Sequence, residues 1–431
     1  MKRIDVISLG CSKNLVESER LIKRLEAKGY NVVFDSENPK GEYVVVNTCG
    51  FISDAKEESV NTILGLCEKK KNGEIGKVAV MGCLSQRYMQ QLKELIPEVD
   101  LWYGKFDYDA FVKELPSLKN KVKTPALWDR HITTPPHTAY LKISEGCNRF
   151  CAFCAIPYIT GRHKSRPIEE IAEEVKELVA RGVKEFNVIA QDLSAYGTDL
   201  YSRPALAKLI ETISDIKGVE WIRLHYAYPS DFPIEILDVM ASRENVCNYL
   251  DIALQHISDT VLTNMNRHIT KAETLNLLKE IRKRVPDISI RTTLMTGFPG
   301  EGEEEFEELL EFVKSQRFER MGAFAYCEEE DTMAASRFED SIPEDIKQAR
   351  LDRLMALQQE ISQENNDKLV GSIQKVLIDR VEGDTGYGRT QYDSPEVDPE
   401  VIVKCKGLQP GKFVNVKITE AFPFELVGEV I

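Results

Sequence analysis

Over residues 1–117 the chain alternates short apolar runs with segments whose apolar residues recur at helical spacing. "RIDVISL" precedes "SKNLVESERLIKRLEAKG", "YVVVNT" precedes "ISDAKEESVNTILGLCEKKK", and "KVAVMG" precedes "SQRYMQQLKELI". Strand followed by helix, repeated in this way, predicts an α/β sandwich built on a parallel sheet. The alternation resumes at Thr138, with candidate strands "TAYLKIS", "FNVIAQD", "WIRLHY", "YLDIALQ", "ISIRTTLM" and "MGAFAYC". Helical patterns separate them. In "IEEIAEEVKELVARG", Ile168, Ile171, Val175, Leu178 and Val179 share one face, and Gly182 is placed to stop the helix. Six such units fall short of the eight of a closed barrel, so an open, partial (β/α)6 barrel is expected, with its chemistry at the carboxyl ends of the strands.

Two stretches break the pattern. "PSLKNKVKTPALWDRHITTPPH" (116–137) is rich in Pro, Lys and polar residues and has no period, as in a linker. From Asp367 to Ile431 short alternating runs are punctuated by Gly, Pro and Asp, which predicts a small antiparallel β barrel. The expected organisation is therefore α/β and multidomain: an α/β domain over 1–117, a linker over 118–137, a partial barrel over 138–366 and a β barrel over 367–431.

Composition narrows the class. At 431 residues the chain is too long for one core, and 42% hydrophobic with 29% charged residues is the balance of a soluble globular protein. "MKRIDVISLGCSKN" reads as a first strand and lacks the small-residue cleavage site of a signal peptide. No run approaches the roughly 18 apolar residues of a membrane span, so no membrane association is expected. A cytoplasmic location follows, and there the ten cysteines stay reduced. Clustered thiols then point to metal or redox chemistry, not disulfides. The net charge of -14 opposes broad, non-specific nucleic-acid binding and suits a basic partner.

Cys11, Cys49 and Cys83 each fall where one of the first three strands ends, the edge at which open α/β sheets gather ligands. Three thiols far apart in sequence thus converge on one spot, unless they serve as small buried hydrophobes. A second set is local: "EGCNRFCAFC" spaces Cys147, Cys151 and Cys154 as C-x3-C-x2-C. Structural zinc is closed by four ligands, and the next candidate, His163, lies nine residues beyond Cys154. Three thiolates on a cuboidal iron-sulfur cluster instead leave one iron open.

With Phe153 before its last cysteine, this spacing resembles the signature of the radical S-adenosylmethionine (SAM) superfamily. The resemblance implies a [4Fe-4S] cluster whose open iron chelates SAM and whose electron cleaves it to a 5'-deoxyadenosyl radical. The whole chain, through "LGCSKNLVESE", "VNTCGFISDAKEES", "VMGCLSQRY", "SEGCNRFCAFCAIP" and "GYGRTQYDSPEVD", resembles the methylthiotransferases. That implies a second [4Fe-4S] cluster on Cys11, Cys49 and Cys83, which presents sulfur for methylation by one SAM while a second SAM yields the radical. "LGCSKNLVESE" is similar to the RimO type, which methylthiolates the β-carbon of an aspartate in ribosomal protein S12. The alternative within the family is a tRNA adenosine methylthiotransferase. A different class, an iron-sulfur electron carrier or RNA-binding module without catalysis, also uses clustered thiols. The family implies a reductant such as flavodoxin, and a monomer is expected. The tail resembles the TRAM domain, which binds RNA in tRNA-modifying relatives. Here it carries eight Lys and Arg against eleven Asp and Glu, a net of -3, so RNA contact is not favoured.

Gln191 and Asp192 end the second barrel strand, and Gln255 and His256 the fourth; all four are candidates for the SAM pocket. For Asp192 a helix N-cap and for His256 a satisfied structural histidine are the competing roles. Arg291 is a candidate partner of the SAM carboxylate, with a structural ion pair as the alternative. No catalytic side chain beyond the cluster ligands is assigned. "GFPGEG" lacks the Lys-Ser/Thr ending of a phosphate loop and reads as a tight strand-to-helix turn. Cys67, Cys247 and Cys405 read as packing residues, and Cys327, ending the sixth strand, lies nearer the expected mouth. Relatives place a basic residue where this chain has Thr160, so a cation there would have to come from Arg162 or Lys164.

Overall fold

The structure is a computed structural model that describes residues 2–120 and 124–431; the part of the expected linker at 121–123 lies outside the described residues. The chain forms two compact units. One comprises Met1–Thr134, Tyr140–Asn148 and Ala155–His163, the other Pro135–Ala139, Arg149–Cys154 and Lys164–Ile431.

The first unit is built on a five-stranded parallel sheet in the order Asn31–Phe34, Arg3–Ser8, Tyr43–Thr48, Lys77–Gly82, Leu101–Trp102. Its near-continuous apolar strands are explained by cover on both faces. Val45 packs with Ile4, Val6, Leu21 and Leu25 on one side, and Val44 and Val46 pack with Ile63, Leu66 and Val80 on the other. The helix Ser12–Lys28 ends in Gly29, whose left-handed backbone returns its N–H to Glu26 and Leu25. The two outer strands, of four and two residues, have no counterpart in the apolar pattern because their side chains are mostly half-exposed.

In the six-stranded sheet, which belongs to the second unit except for residues 140–142, the strands run in the order Arg320–Ala325, Ser289–Thr296, Val246–Gln255, Trp221–Ala227, Glu185–Ile189, followed by Thr138–Lys142. The first five are mutually parallel and the six-stranded sheet is open, the partial barrel expected from the pattern. The helix Ile168–Ala180 buries Ile171, Val175 and Leu178 and stops before Gly182 at φ 103°.

The tail closes into a five-stranded barrel, Ile373–Glu382, Thr385–Arg389, Glu400–Lys404, Glu425–Val430, Phe413–Ala421. Alternate residues Val376, Ile378, Val401, Val403, Val416 and Ile418 fill it. It departs from the expected all-antiparallel barrel in one pair, since Glu400–Lys404 runs parallel to Glu425–Val430. The reason is parity: strands alternating in direction cannot close a ring of odd number. The small barrel is anchored to the amino ends of the open sheet by buried charge. Arg389 donates to both oxygens of Glu185, at 2.9 and 2.7 Å, and to Asp379. Arg223 joins Glu185 from the neighbouring strand, and His137 joins Asp379 at 3.0 Å.

Candidate functional site

Within the first unit the carboxyl edge of the sheet brings Cys11, Cys49 and Cys83 together. Cys11 caps the helix Ser12–Lys28, Cys49 follows the strand Tyr43–Thr48, and Cys83 opens the helix Cys83–Leu95 directly after a strand. The approach is close. A Cβ on Gly10, which has φ 87°, would lie 2.7 Å from Cys49 Cβ and 2.8 Å from its Sγ. A Cβ on Gly50 would lie 2.7 Å from the Leu84 backbone, next to Cys83. Asn14 ties the three turns together: its amide donates to the Leu9 and Thr48 carbonyls, and its Oδ1 accepts from the Cys83 thiol at 3.4 Å.

Burial pushes the Cys83 thiol up to about 11 and outweighs the lowering by Lys105, while the neighbouring Cys11 and Cys49 reinforce the rise. Burial likewise raises Cys49. At Cys11, reachable by solvent yet set among protein atoms, desolvation is outweighed by Lys13, the Asn14 backbone N–H and Lys105, and the thiol is lowered. A buried relay of charge surrounds the site. Lys105 Nζ lies 3.8 Å from Cys83 Sγ and 3.5 Å from Glu145, and Lys142 bridges Glu145, at 2.6 Å, and Glu17. Glu19 meanwhile holds Arg130 and Thr133. The acidic half of "LGCSKNLVESE" is thus occupied in positioning buried cations, not in acid–base work. Three converging thiols with a buried cation beside them fit an anionic iron-sulfur cluster.

The loop carrying the second triad is tied down by its backbone. The Cys147 N–H donates to Gly161, Ala152 exchanges hydrogen bonds with Met265 and Ala334, and Cys154 N–H closes on Cys151. Phe153, the aromatic of the motif, packs edge-on against Phe298 within an apolar cluster that includes Met265, Met295 and Tyr326. Arg267 Nη1 donates to Cys151 Sγ at 3.2 Å, and Tyr228 Oη lies 3.7 Å from the same sulfur. Among the described residues no three His, Cys, Asp or Glu side chains are grouped as ligands of a single ion. Thiolates on a cuboidal cluster each take a different iron and are spaced more widely than that.

Four of the five SAM-pocket candidates lie at carboxyl ends of the open sheet. Asp192, just past Glu185–Ile189, accepts from Arg149 at 2.6 Å and from the Ala195 N–H, and Gln191 precedes it. Gln255 ends its strand with φ 72°, and its buried Oε1 has no partner among the described residues, an acceptor left for a ligand. His256 is fully buried and satisfied at both nitrogens, by Glu301 at 3.1 Å and the Ser258 N–H at 3.0 Å, which is the structural role. Arg291 belongs to the other end: third in Ser289–Thr296, it lies opposite Asp251 in register and pairs with Asp398 at 3.3 Å. Its expected place beside the SAM carboxylate is corrected, because a residue at the start of a parallel strand faces the floor of the sheet.

Glu301, in the "GFPGEG" turn, also accepts from the Gly297 N–H and from Arg350, so the segment is a pinned turn. Cys67 and Cys247 are buried in apolar clusters, Cys405 packs on the small barrel's core, and Cys327 is exposed. Thr160 caps its own short helix by donating to Ile156, and the cation that meets Asp192 is Arg149. Lys105, Lys142, Tyr228 and Arg267 had carried no signal in the sequence, since each sits in an unremarkable local pattern and gains its meaning from partners distant in the chain.

Three family models match the chain: the Uncharacterized protein family UPF0004 over residues 3–104, the Radical SAM superfamily over 141–313 and the TRAM domain over 370–431. Among solved structures, the radical S-adenosylmethionine methyltransferase TsrM from Kitasatospora setae shares the fold at 14% identity. Its TM-score is 0.57, over 92% of this chain and 80% of that one. Curated relatives are far nearer in sequence. The ribosomal protein uS12 methylthiotransferase RimO of Bacteroides fragilis is 58% identical over 100% of this chain and 99% of its own length. That of Phocaeicola vulgatus is 58% identical over all of both chains, and that of Porphyromonas gingivalis 55% over 100% and 99%. Identity of this order over the whole length of the chain means that it belongs to the family of the ribosomal protein uS12 methylthiotransferase RimO.

Proposed function

We propose that the protein is a radical SAM methylthiotransferase that converts an aspartate of ribosomal protein S12 to its 3-methylthio derivative. In this reading Cys11, Cys49 and Cys83 hold one [4Fe-4S] cluster and Cys147, Cys151 and Cys154 another. In the same reading the domains run over 1–117, 138–366 and 367–431, with a linker over 118–137, and a cytoplasmic reductant such as flavodoxin supplies electrons. The observation that carries the reading is the meeting of Cys11, Cys49 and Cys83 at the ends of three neighbouring parallel strands. With a cluster on each set of three thiols, the chain would leave two open iron positions, one for SAM and one for sulfur.

When bound, the groups supply an electron, a hydrogen-abstracting radical and a methylthio donor. A β-carbon with unactivated C–H bonds needs such a radical, because a protein general base is far too weak to remove its hydrogen. The chain's own residues bind and orient. Gln255 offers a buried acceptor to SAM, Asp192 fixes Arg149, and Lys105 balances negative charge beside Cys83. The acidic tail, with its net of -3, suits a basic ribosomal protein better than tRNA.

Reduced, reconstituted protein incubated with SAM and either S12 or tRNA is expected to add a methylthio mass to S12 alone. Addition to tRNA and not to S12 would overturn the assignment. Cys151→Ala is expected to abolish 5'-deoxyadenosine formation and to lower iron from about eight to about four per chain. A chain that keeps about eight irons after that change does not use Cys151 as a ligand.

A further inference from the structure

Eight arginines are buried among the described residues: Arg20, Arg24, Arg130, Arg223, Arg267, Arg320, Arg350 and Arg389. Seven of them pair with a carboxylate. Arg267, 3% exposed, has no carboxylate within ion-pair reach among the described residues. Its Nη1 donates to Cys151 Sγ at 3.2 Å and its Nη2 to the Ala253 carbonyl, while Nε finds no partner there. The guanidinium stacks 4.1 Å from the Tyr228 ring centroid, and Tyr228 Oη in turn donates to the Arg267 carbonyl at 2.7 Å. Both ends of Arg267 are therefore held in one pose, aimed at one sulfur.

A desolvated cation is strongly unfavourable without a counter-charge. A neutral thiol does not provide one, whereas a thiolate bound to iron does. We infer that Arg267 is a positioning residue for the Cys147/Cys151/Cys154 site: its guanidinium is the buried counter-charge of the cluster held through Cys151, and Tyr228 fixes it there. This rests on the reading of that triad as cluster ligands. Each one-electron reduction adds a negative charge to an already anionic assembly, so a fixed cation and a hydrogen bond to a ligand sulfur both favour the reduced form. Arg267 thus raises the reduction potential of the cluster that must pass its electron to SAM. Arg149, which also lies over Tyr228, at 4.3 Å, cannot substitute, because Asp192 and Asp231 already balance its charge.

The test uses the full-length chain with Cys11, Cys49 and Cys83 all changed to Ala, so that one cluster is observed. Iron per chain and the midpoint potential, followed by electron paramagnetic resonance during redox titration, are compared for this parent and for R267K and R267Q in it. R267Q is expected to keep the parent's iron and to move the midpoint negative by about 59 mV or more, a tenfold loss in the one-electron reduction constant. R267K is expected to retain most of the parent potential. Loss of iron in R267Q but not in R267K would equally support a need for the charge. An unchanged midpoint in iron-loaded R267Q overturns the inference. So do equal shifts, or equal loss of iron, in R267Q and R267K, since packing alone then explains the residue. A parent without iron instead removes the reading of the triad itself, and the inference with it.

Discussion

A carboxylate as buried as Glu17 stays ionised only because its partners are fixed. Burial raises its pKa, but Lys142 and Arg20 outweigh that and bring it to about 2, from an ordinary value near 4.5. The folded-state value is depressed, so this pair stabilises fully above about 4.5, and the stabilisation is lost as pH falls towards 2. Glu17→Gln is expected to lose about 3 kcal/mol at neutral pH and to flatten the stability profile across that window, measured by urea denaturation at a series of pH values. A variant whose acid profile matches the parent's would show that Glu17 carries no such load. At this scale the meeting of Cys11, Cys49 and Cys83 was legible, because each follows a strand of one parallel sheet. Arg291 was misplaced, because its residue type suits a carboxylate ligand and only the direction of its strand reveals which end it occupies.

Among the elements, the turn that ends the first strand decides whether the first triad can form. Gly10 holds a left-handed φ of 87° and leaves no room for a Cβ against Cys49. Gly10→Ala is expected to cost about 1–3 kcal/mol in backbone strain and to push Cys49 out of place. Iron should then fall from about eight towards about four per chain while the circular dichroism spectrum is retained. Full iron loading of that variant would show that the turn has slack. The long strands and helices were legible from their periods, six barrel strands included. The edge strands Asn31–Phe34 and Leu101–Trp102 were not, since two to four half-exposed residues carry no period and exist only by pairing with a neighbour.

For the molecule as a whole, the small barrel is attached by charge. Glu185 is fully buried between Arg223 and Arg389, and burial, which raises its pKa, is outweighed by the two guanidinium groups that hold it well below the carboxylate range. Asp393 and Asp398, in the "TQYDSPEVD" loop, pair with Arg320 at 2.6 Å and with Arg291 at 3.3 Å. Glu185→Gln leaves two buried cations short of a partner and is expected to cost about 3–5 kcal/mol, seen as a lowered urea midpoint. Easier proteolysis between the open sheet and the tail is expected to accompany it. A change of under about 0.5 kcal/mol, as for an exposed pair, would contradict this account of the attachment. The motif "GYGRTQYDSPEVD" thereby acquires a physical purpose as the anchor of the tail.

The sequence by itself determined the periods, the three-part organisation and the two sets of three thiols, because strand and helix spacing and cysteine chemistry are local properties. It also pointed to the methylthiotransferase resemblance, which rests on contiguous motifs. Only the tertiary structure decided which charges meet: Lys105 with Cys83, Arg267 with Cys151, Arg291 with Asp398 rather than a ligand, and Glu185 with two arginines. A buried ion pair joins residues 38 to 204 positions apart, as at Glu185 with Arg223 and Arg389. No spacing rule spans such distances, since the partner is chosen by desolvation and by which strand ends the fold brings together.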